Sequence, residues 1–377
     1  MSFFSFQIIH QSKKSRARVG KIITPHGTID TPGFVAVGTN GSIKALDNVM
    51  LETLGQQLMF CNTYHLLLHP GPDVVQAAGG LHQFINRTMP LITDSGGFQV
   101  FSLMYGGVKN ELKSKGQKDF NNSVLKISEE GVKFRSYRDG AEIMLTPEST
   151  VQVQKALGAD IIIPLDELPP YHIDKQKLRR SFDRTHRWEK RSLDEHQKNI
   201  KNQAMYSVVH GGIDKNLRLE SCKILGGYEG FSGHAIGGSV GKNHSEMIEM
   251  LRYTVPALPY EKPNHLLGIG DLPAIQQIIP LGIDTFDSSH PTKCARHGHL
   301  FTSAGTKKIT QTKYKMDFTP VDPACTCYTC THYTAAYLHH LFKAKEPVFN
   351  TLATIHNLAY MNNLMAWYRN EILENRI

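Results

Sequence analysis

Short apolar runs ending in Gly, Asn, Asp or His recur along this chain, at 33–38, 58–63, 90–94, 160–166, 205–210, 234–238, 265–270 and 283–287. Apolar runs of this length bounded by turn residues read as strands buried on both faces. The segments between them read as helices. Eight strand–helix units predict an α/β fold, a (β/α)8 barrel, with its active site at the carboxyl ends of the strands.

The clearest helix starts at Thr146-Pro147, with Thr146 as N-cap and Pro147 in the first turn, and runs to Leu157 before stopping at Gly158. A long charged helix is expected over 178–198, on the outer ring. Residues 106–145 exceed the simple repeat. Asp139-Gly140 splits two short runs within 131–145 and predicts a hairpin inserted after the third strand. After about Phe301 the alternation gives way to a cysteine cluster and helices. The expected organisation is a catalytic barrel over 1–300, with an N-terminal extension, and a zinc-binding subdomain over 301–377 packed on it.

With 377 residues the chain is long enough for a barrel with insertions. Lys+Arg 42 against Asp+Glu 34 gives a net charge of +8, compatible with a phosphate-rich partner. No apolar run is long enough to span a membrane, and the first residues do not read as a signal peptide. Three cysteines stand alone at 61, 222 and 294, which is not a disulfide framework, so a cytoplasmic protein is expected. Cys325, Cys327 and Cys330 place three thiolates within six residues, suited to a soft or borderline metal. A structural zinc needs a fourth ligand, and His332, His339, His340 and His356 are the candidates. His356 lies inside an apolar helical stretch, where a polar ring needs a reason, and is the expected ligand. A closed Cys3His set predicts one structural Zn2+ with no part in bond breaking.

Two acids end strands in revealing contexts. Asp94 is followed by Ser95, Gly96, Gly97, Phe98 and Gln99, and Asp287 closes the eighth run. An acid at a strand end is rigidly held, and glycines admit a ligand close to the backbone. Two such carboxylates point to acid/base or nucleophilic work in one pocket.

On these residues the chain resembles the bacterial-type tRNA-guanine transglycosylases, also called queuine tRNA-ribosyltransferases, over nearly its whole length. The resemblance runs through Thr31-Pro32-Gly33-Phe34, Val37-Gly38-Thr39, Asn62-Thr63-Tyr64-His65-Leu66, the Asp94–Gln99 stretch, Asp166-Glu167 and Ala235-Ile236-Gly237-Gly238. It continues through Phe286-Asp287, Gly298-His299-Leu300-Phe301-Thr302, the cysteine cluster and Thr354-Ile355-His356-Asn357-Leu358. It implies a zinc-bearing TIM barrel, commonly a homodimer. The implied reaction swaps the wobble guanine of tRNAs with a G-U-N anticodon for a free 7-deazaguanine base, normally 7-aminomethyl-7-deazaguanine in bacteria. It also implies roles. Asp287 would be the nucleophile that forms a ribosyl-aspartate, and Asp94 the general acid and then base. Asp166 would grip the base, Gly237 and Gly238 would offer it backbone N–H groups, and Phe98 and Leu267 would sandwich it. Ser95 and Asn62 would give polar support beside Gly96 and Gly97. Gly268-Ile269-Gly270-Asp271-Leu272-Pro273-Ala274 and Thr292-Lys293-Cys294-Ala295-Arg296 would contact RNA, with Lys293 where the family pattern usually has Arg.

Three departures surround the pocket for the 7-substituent. His210 stands for the usual Gln and Leu168 for the usual Cys. Gly237-Gly238-Ser239-Val240-Gly241-Lys242 is one residue short, with Lys242 where the pattern has Glu. An aminomethyl cation would lose a favourable neighbour there, so a preference shifted toward queuine stands beside an unchanged one. The alternative of a non-catalytic RNA-binding subunit is disfavoured by the presence of both Asp94 and Asp287. An archaeal-type enzyme would carry an RNA-binding extension after Ile377, and an unrelated metal hydrolase would need more strand-end ligands than His210 and Asp166.

Overall fold

The protein was analysed as a computed structural model that describes residues 3–115 and 123–377, the side chain of Lys109 aside. Eight parallel strands close a barrel in chain order. They are β1 (Gly33–Val37), β2 (Met59–Cys61), β3 (Leu91–Thr93), β4 (Ile161–Ile162), β5 (Ala204–Val209), β6 (Gly233–Ile236), β7 (Asn264–Leu266) and β8 (Thr285–Ser288). Closure is made by β8 lying beside β1, with Thr285 opposite Gly33 and Ser288 opposite Ala36. Each strand starts within two residues of the apolar run that predicted it.

Side chains alternate between the barrel interior and the layer beneath the helices. Val35, Ile92, Ile161, Tyr206, Val208 and Ala235 share an interior cluster. Phe34, Leu91, Met205, Val209, Ile236 and Phe286 join the larger core under the helices. An antiparallel sheet of Ser5–Gln11, Arg18–Thr24 and Gly27–Thr31 precedes the barrel, and its Ile22 and Ile29 pack into the interior cluster. This sheet covers the end of the barrel where the strands begin. Arg18 anchors it there. Its Nε donates to Asp284 Oδ1 at 2.8 Å and its Nη2 to Oδ2 at 2.7 Å, while Asp284 Oδ2 also accepts the Asn264 N–H at 2.7 Å. A second tie joins the turn at His26, whose Nδ1 lies 2.7 Å from Asp160 Oδ1, to the start of β4.

The strand predicted over 160–166 shrinks to Ile161–Ile162. Pro164 has no N–H to donate, so the ladder cannot continue. Side chains take over the backbone pairing. Gln154 donates to the Ile163 carbonyl at 2.8 Å and accepts the Ile163 N–H at 3.1 Å, and Glu189 accepts the Val208 N–H at 3.1 Å.

The helix Pro147–Leu157 forms as predicted, with a reciprocal capping box between Thr146 and Ser149 and a left-handed Gly158. The charged helix spans Lys175–Lys198 and starts three residues before the expected 178, because Asp174 caps it. In the insertion, Val132–Arg135 and Glu142–Leu145 make the predicted hairpin, and Val124–Ile127 adds a third antiparallel strand. Residues 116–122 of that insertion lie outside the described residues. At the C-terminal end, His299–Thr302 pairs with Gly305–Lys308, and the helix Val348–Leu373 packs against both the barrel layer and the cysteine-bearing segment. Among the described residues no helix is long and apolar enough to cross a membrane.

Arg18→Ala would leave Asp284 as a buried, unpaired carboxylate. We expect a loss of about 3–5 kcal/mol of unfolding free energy, measured by denaturant titration, with the Arg18→Ala/Asp284→Ala pair losing less than the sum of the single changes.

Candidate active site

The alternation that fills the interior also aims chemistry into the barrel mouth. Asp94 follows β3 in the parity of Ile92, His210 follows β5 in the parity of Val208, and Asp287 lies in β8 in the parity of Thr285. Asp94 Oδ1 accepts the Thr63 backbone N–H at 2.8 Å, and Oδ2 accepts from the Asn62 side chain at 2.6 Å. The Gln99 amide satisfies both its ends only with its nitrogen toward Asp94 Oδ2 and the Gly96 carbonyl. Burial, aided by the charges of Asp166 and Asp287 and opposed by the Thr63 N–H, pushes the Asp94 carboxyl up to about 7. The three acids therefore share one electrostatic environment at the carboxyl ends of β3, β4 and β8.

Asp287 is nearly buried, and its Oδ1 is held by the Gly268 N–H at 2.9 Å and by His265 Nε2 at 3.2 Å. His265 is oriented in turn by Thr285 Oγ1 at 2.9 Å from its Nδ1. Gly268 presents its N–H from a left-handed conformation, φ +74°, that favours glycine. Asp287 Oδ2 accepts no hydrogen bond from the described residues, which leaves it available to a ligand.

Asp166 backs onto the Asp94 loop so closely that a Cβ on Gly97 would lie 2.5 Å from Asp166 Oδ1. His210 Nε2 is 3.2 Å from Asp166 Oδ2 but lacks hydrogen-bonding geometry, so that buried nitrogen has no partner. Ser95 is buried and serves the turn, its Oγ accepting the Gly97 N–H at 3.4 Å. Phe98 is 47% exposed at the rim. Leu267 is partly buried, and a Cβ on Gly237 would meet its Cδ1 at 3.0 Å. The Gly237 N–H bonds the Val209 carbonyl at 3.3 Å.

Two residues of this region escaped the sequence reading. Arg218 is fully buried, with no acid among the described residues beside it. Its guanidinium donates to the carbonyls of Gly212 (2.7 Å), Val209 (2.7 Å), Gly237 (2.8 Å) and Ser239 (3.1 Å), lacing the loop after β5 to the loop after β6. Glu189 lies beneath the same strands. Burial pushes its carboxyl well above the usual range, and the charge of Asp166 adds to the effect. The only available signal was a charged residue on the apolar face of a helix. Lys242 is exposed and paired with Glu246 at 3.0 Å, and Glu246 also accepts from Tyr171 at 3.2 Å, so its charge is compensated locally. Leu168 is partly buried.

The two segments expected to meet RNA divide by burial. Gly268 and Pro273 are exposed, and Ile269 and Leu272 partly so, while Gly270 and Ala274 are buried. Asp271 caps the helix Leu272–Ile278 through the Ala274 N–H at 3.1 Å. In the helix His290–Arg296, Lys293 is exposed and Arg296 half-buried, its Nη1 donating to the Thr292 carbonyl at 2.9 Å. Cys294 is half-buried, its Sγ 3.3 Å from His290 Nε2. Thr292 and Ala295 are buried.

Away from the mouth, the ligand atoms of Cys325, Cys327, Cys330 and His356 all lie within 4.8 Å of one another. His356 Nδ1 is 3.3 Å from Cys330 Sγ and 3.6 Å from Cys327 Sγ, and its Nε2 donates to the Phe301 carbonyl at 2.6 Å. That outer bond fixes the tautomer with the Nδ1 lone pair toward the sulfurs, as a metal ligand requires. The group could hold a metal ion. Next to it, Asn357 accepts the Phe301 N–H at 3.0 Å and donates to the carbonyls of Pro291 and His299, each at 3.0 Å, so the metal-site helix also carries the 290–301 segment.

A parallel barrel with three carboxylates at one mouth and, apart from them, a Cys3His group that could hold a metal ion is the arrangement the chain presents. Comparison with known proteins agrees. The profile of the queuine tRNA-ribosyltransferase family matches residues 12–377. The queuine tRNA-ribosyltransferase of Protochlamydia amoebophila is 62% identical over 377 residues, covering 100% of this chain and 97% of that protein. Those of Chlamydia abortus and Chlamydia trachomatis serovar D are 54% and 52% identical, each over 99% of both chains. The chain belongs to the queuine tRNA-ribosyltransferase family and is a pentosyltransferase of the queuosine modification of tRNA.

Asp94 has a raised carboxyl, so its protonated form is the one the fold favours. The stability this confers is complete below the ordinary value of 3.8 and is lost as pH rises through about 7. Asp94→Asn should therefore unfold at higher temperature than the parent at pH 8, by roughly 4 kcal/mol at most, with the gap closing near pH 4 in a calorimetric pH series. Cys330→Ser should abolish stoichiometric metal, read by elemental analysis. Chelation of the parent should lower its melting temperature and raise amide exchange across 290–301.

Proposed function

We propose that this chain replaces the wobble guanine of tRNAs bearing a G-U-N anticodon with a 7-deazaguanine base, by double displacement at Asp287. The observation that carries this reading is the free Oδ2 of Asp287 in one mouth with Asp94, whose carboxyl burial pushes up to about 7. Asp287 Oδ2 attacks C1′ of the nucleotide, the C1′–N9 bond breaks, and the departing guanine takes its proton from Asp94. Asp94, now ionised, removes the N9 proton of the incoming base. That nitrogen then attacks C1′ and releases Asp287. Two inversions give retention, and the ester conserves the glycosyl bond energy, so no nucleotide triphosphate is required.

Asp166 accepts from the base N1–H and exocyclic amine, the Gly238 N–H meets its carbonyl, and Phe98 and Leu267 hold its faces. Arg218 keeps the two loops that carry His210 and Gly238 in register. Gly268, Ile269, Lys293 and Arg296 face the anticodon loop, where the target base is drawn out of its stack. Zinc is the metal that suits Cys325, Cys327, Cys330 and His356, with a structural role in the segment after residue 300. The protein acts in the cytoplasm as a homodimer. A run of neighbouring rings, with Tyr333 and Tyr337 stacked at 5.4 Å and Tyr328 and Tyr337 exposed, supports a surface for the second copy. Since Lys242 offers no anion to an aminomethyl group and His210 replaces an amide, the preferred base carries the bulkier substituent of queuine.

Two outcomes test this. The rate of base exchange at subsaturating tRNA should fall above about pH 7, as the free enzyme loses the Asp94 proton, and a profile flat to pH 9 would count against Asp94. With equal concentrations of queuine and 7-aminomethyl-7-deazaguanine, nucleoside mass analysis of the anticodon should show queuosine in excess, whereas dominance of the aminomethyl base would refute the preference.

A further inference from the structure

The hairpin inserted after β3 ends in a turn that reaches the barrel mouth, and no role assigned above uses it. Tyr137 at its tip is 58% exposed. It is nevertheless fixed. Its hydroxyl lies 3.2 Å from His65 Nδ1, and one face covers Tyr64 at 6.2 Å between centroids and 29° between planes. Tyr64 packs in turn on Phe134 of the same hairpin at 5.2 Å. The turn beneath is tied by the Ser136 N–H to the Ala141 carbonyl at 2.9 Å and by the Ala141 N–H to Asp139 Oδ1 at 3.1 Å.

This stack stands on the catalytic loop. Thr63, next to Tyr64, donates its N–H to Asp94, and a Cβ on Gly96 would lie 3.0 Å from Tyr64 Cβ. The outer face of Tyr137 is thus a rigid aromatic surface at the rim, beside the acid that must face the reacting nucleotide. Arg138, also exposed, follows it in the chain. An enzyme that extracts one base from a loop unstacks the bases beside it, and those recover stacking on protein rings with a cation near the phosphates.

We propose that Tyr137 is a stacking platform for an unpaired anticodon-loop base adjacent to the extracted nucleotide, with Arg138 near its phosphate. The inference rests on the transglycosylase reading above. The occupant is an RNA base, because the surface is one flat ring flanked by a cation and lies at the rim of a site that receives a nucleotide.

Exchange of radiolabelled guanine into tRNA reads tRNA and free-base kinetics separately. Tyr137→Ala should raise the KM for tRNA roughly tenfold or more, leaving kcat and the KM for guanine within about twofold. Tyr137→Trp, which keeps a flat face without the hydroxyl, should restore the tRNA KM. An unchanged tRNA KM in Tyr137→Ala overturns the platform. So does a fall in kcat with a raised guanine KM, which would mark the ring as a mere support for Tyr64 and the Asp94 loop. Failure of the parent chain to exchange any guanine would instead sink the transglycosylase reading, and the platform with it.

Discussion

Closure of the sheet is the constraint on which the rest depends. Only because β8 returns to lie beside β1 does the end of the eighth strand open into the same mouth as the end of the third. Side-chain parity does the remainder, turning Asp94 and Asp287 inward with the apolar residues that precede them in register. Burial and the neighbouring carboxylates disfavour the charged form of Asp94 and push its carboxyl up to about 7. The same crowding that costs stability at neutral pH thus supplies a group able to give up and recover a proton.

The carboxylates are differentiated by their partners. Asp94 has both oxygens engaged by neutral donors, Thr63 and Asn62, which orient it without supplying a full positive charge. Asp287 is gripped on one oxygen only, by a backbone N–H and an imidazole, so the other accepts no hydrogen bond from the described residues. That asymmetry is what the proposed division between proton transfer at Asp94 and covalent attack at Asp287 rests on. Around them the loops after β5 and β6 are not free-standing. Arg218 ties four carbonyls from two loops to one planar group. The Cys3His group, through Asn357, holds the helix that offers Lys293 and Arg296.

Much of this was visible in the chain itself. Eight apolar runs with polar ends are local signals, and the barrel followed from their number and spacing. The capped helix from Thr146 to Gly158 was legible because every signal for it lies within a dozen residues. The cysteine cluster was legible for the same reason, with His356 inferred from an odd polar ring in an apolar helix. What stayed hidden is non-local. The side chains that patch the shortened β4, Gln154 and Glu189, come from helices on either side of it. Arg218 has no sequence neighbour that reveals its carbonyl partners, and Asp284 gives no sign that Arg18 waits some 266 residues earlier. The third strand of the insertion, Val124–Ile127, carries too weak an alternation to be read without its partner.

The most direct test of the central claim is to look for the ester. The chain, incubated with a G-U-N tRNA and no incoming base, would be quenched in acid and analysed by denaturing gel and peptide mass spectrometry. The account predicts a protein–RNA adduct carried on Asp287 that is absent from Asp287→Asn. An adduct that persists in that variant, or that maps to Asp94 or Asp166, would contradict it.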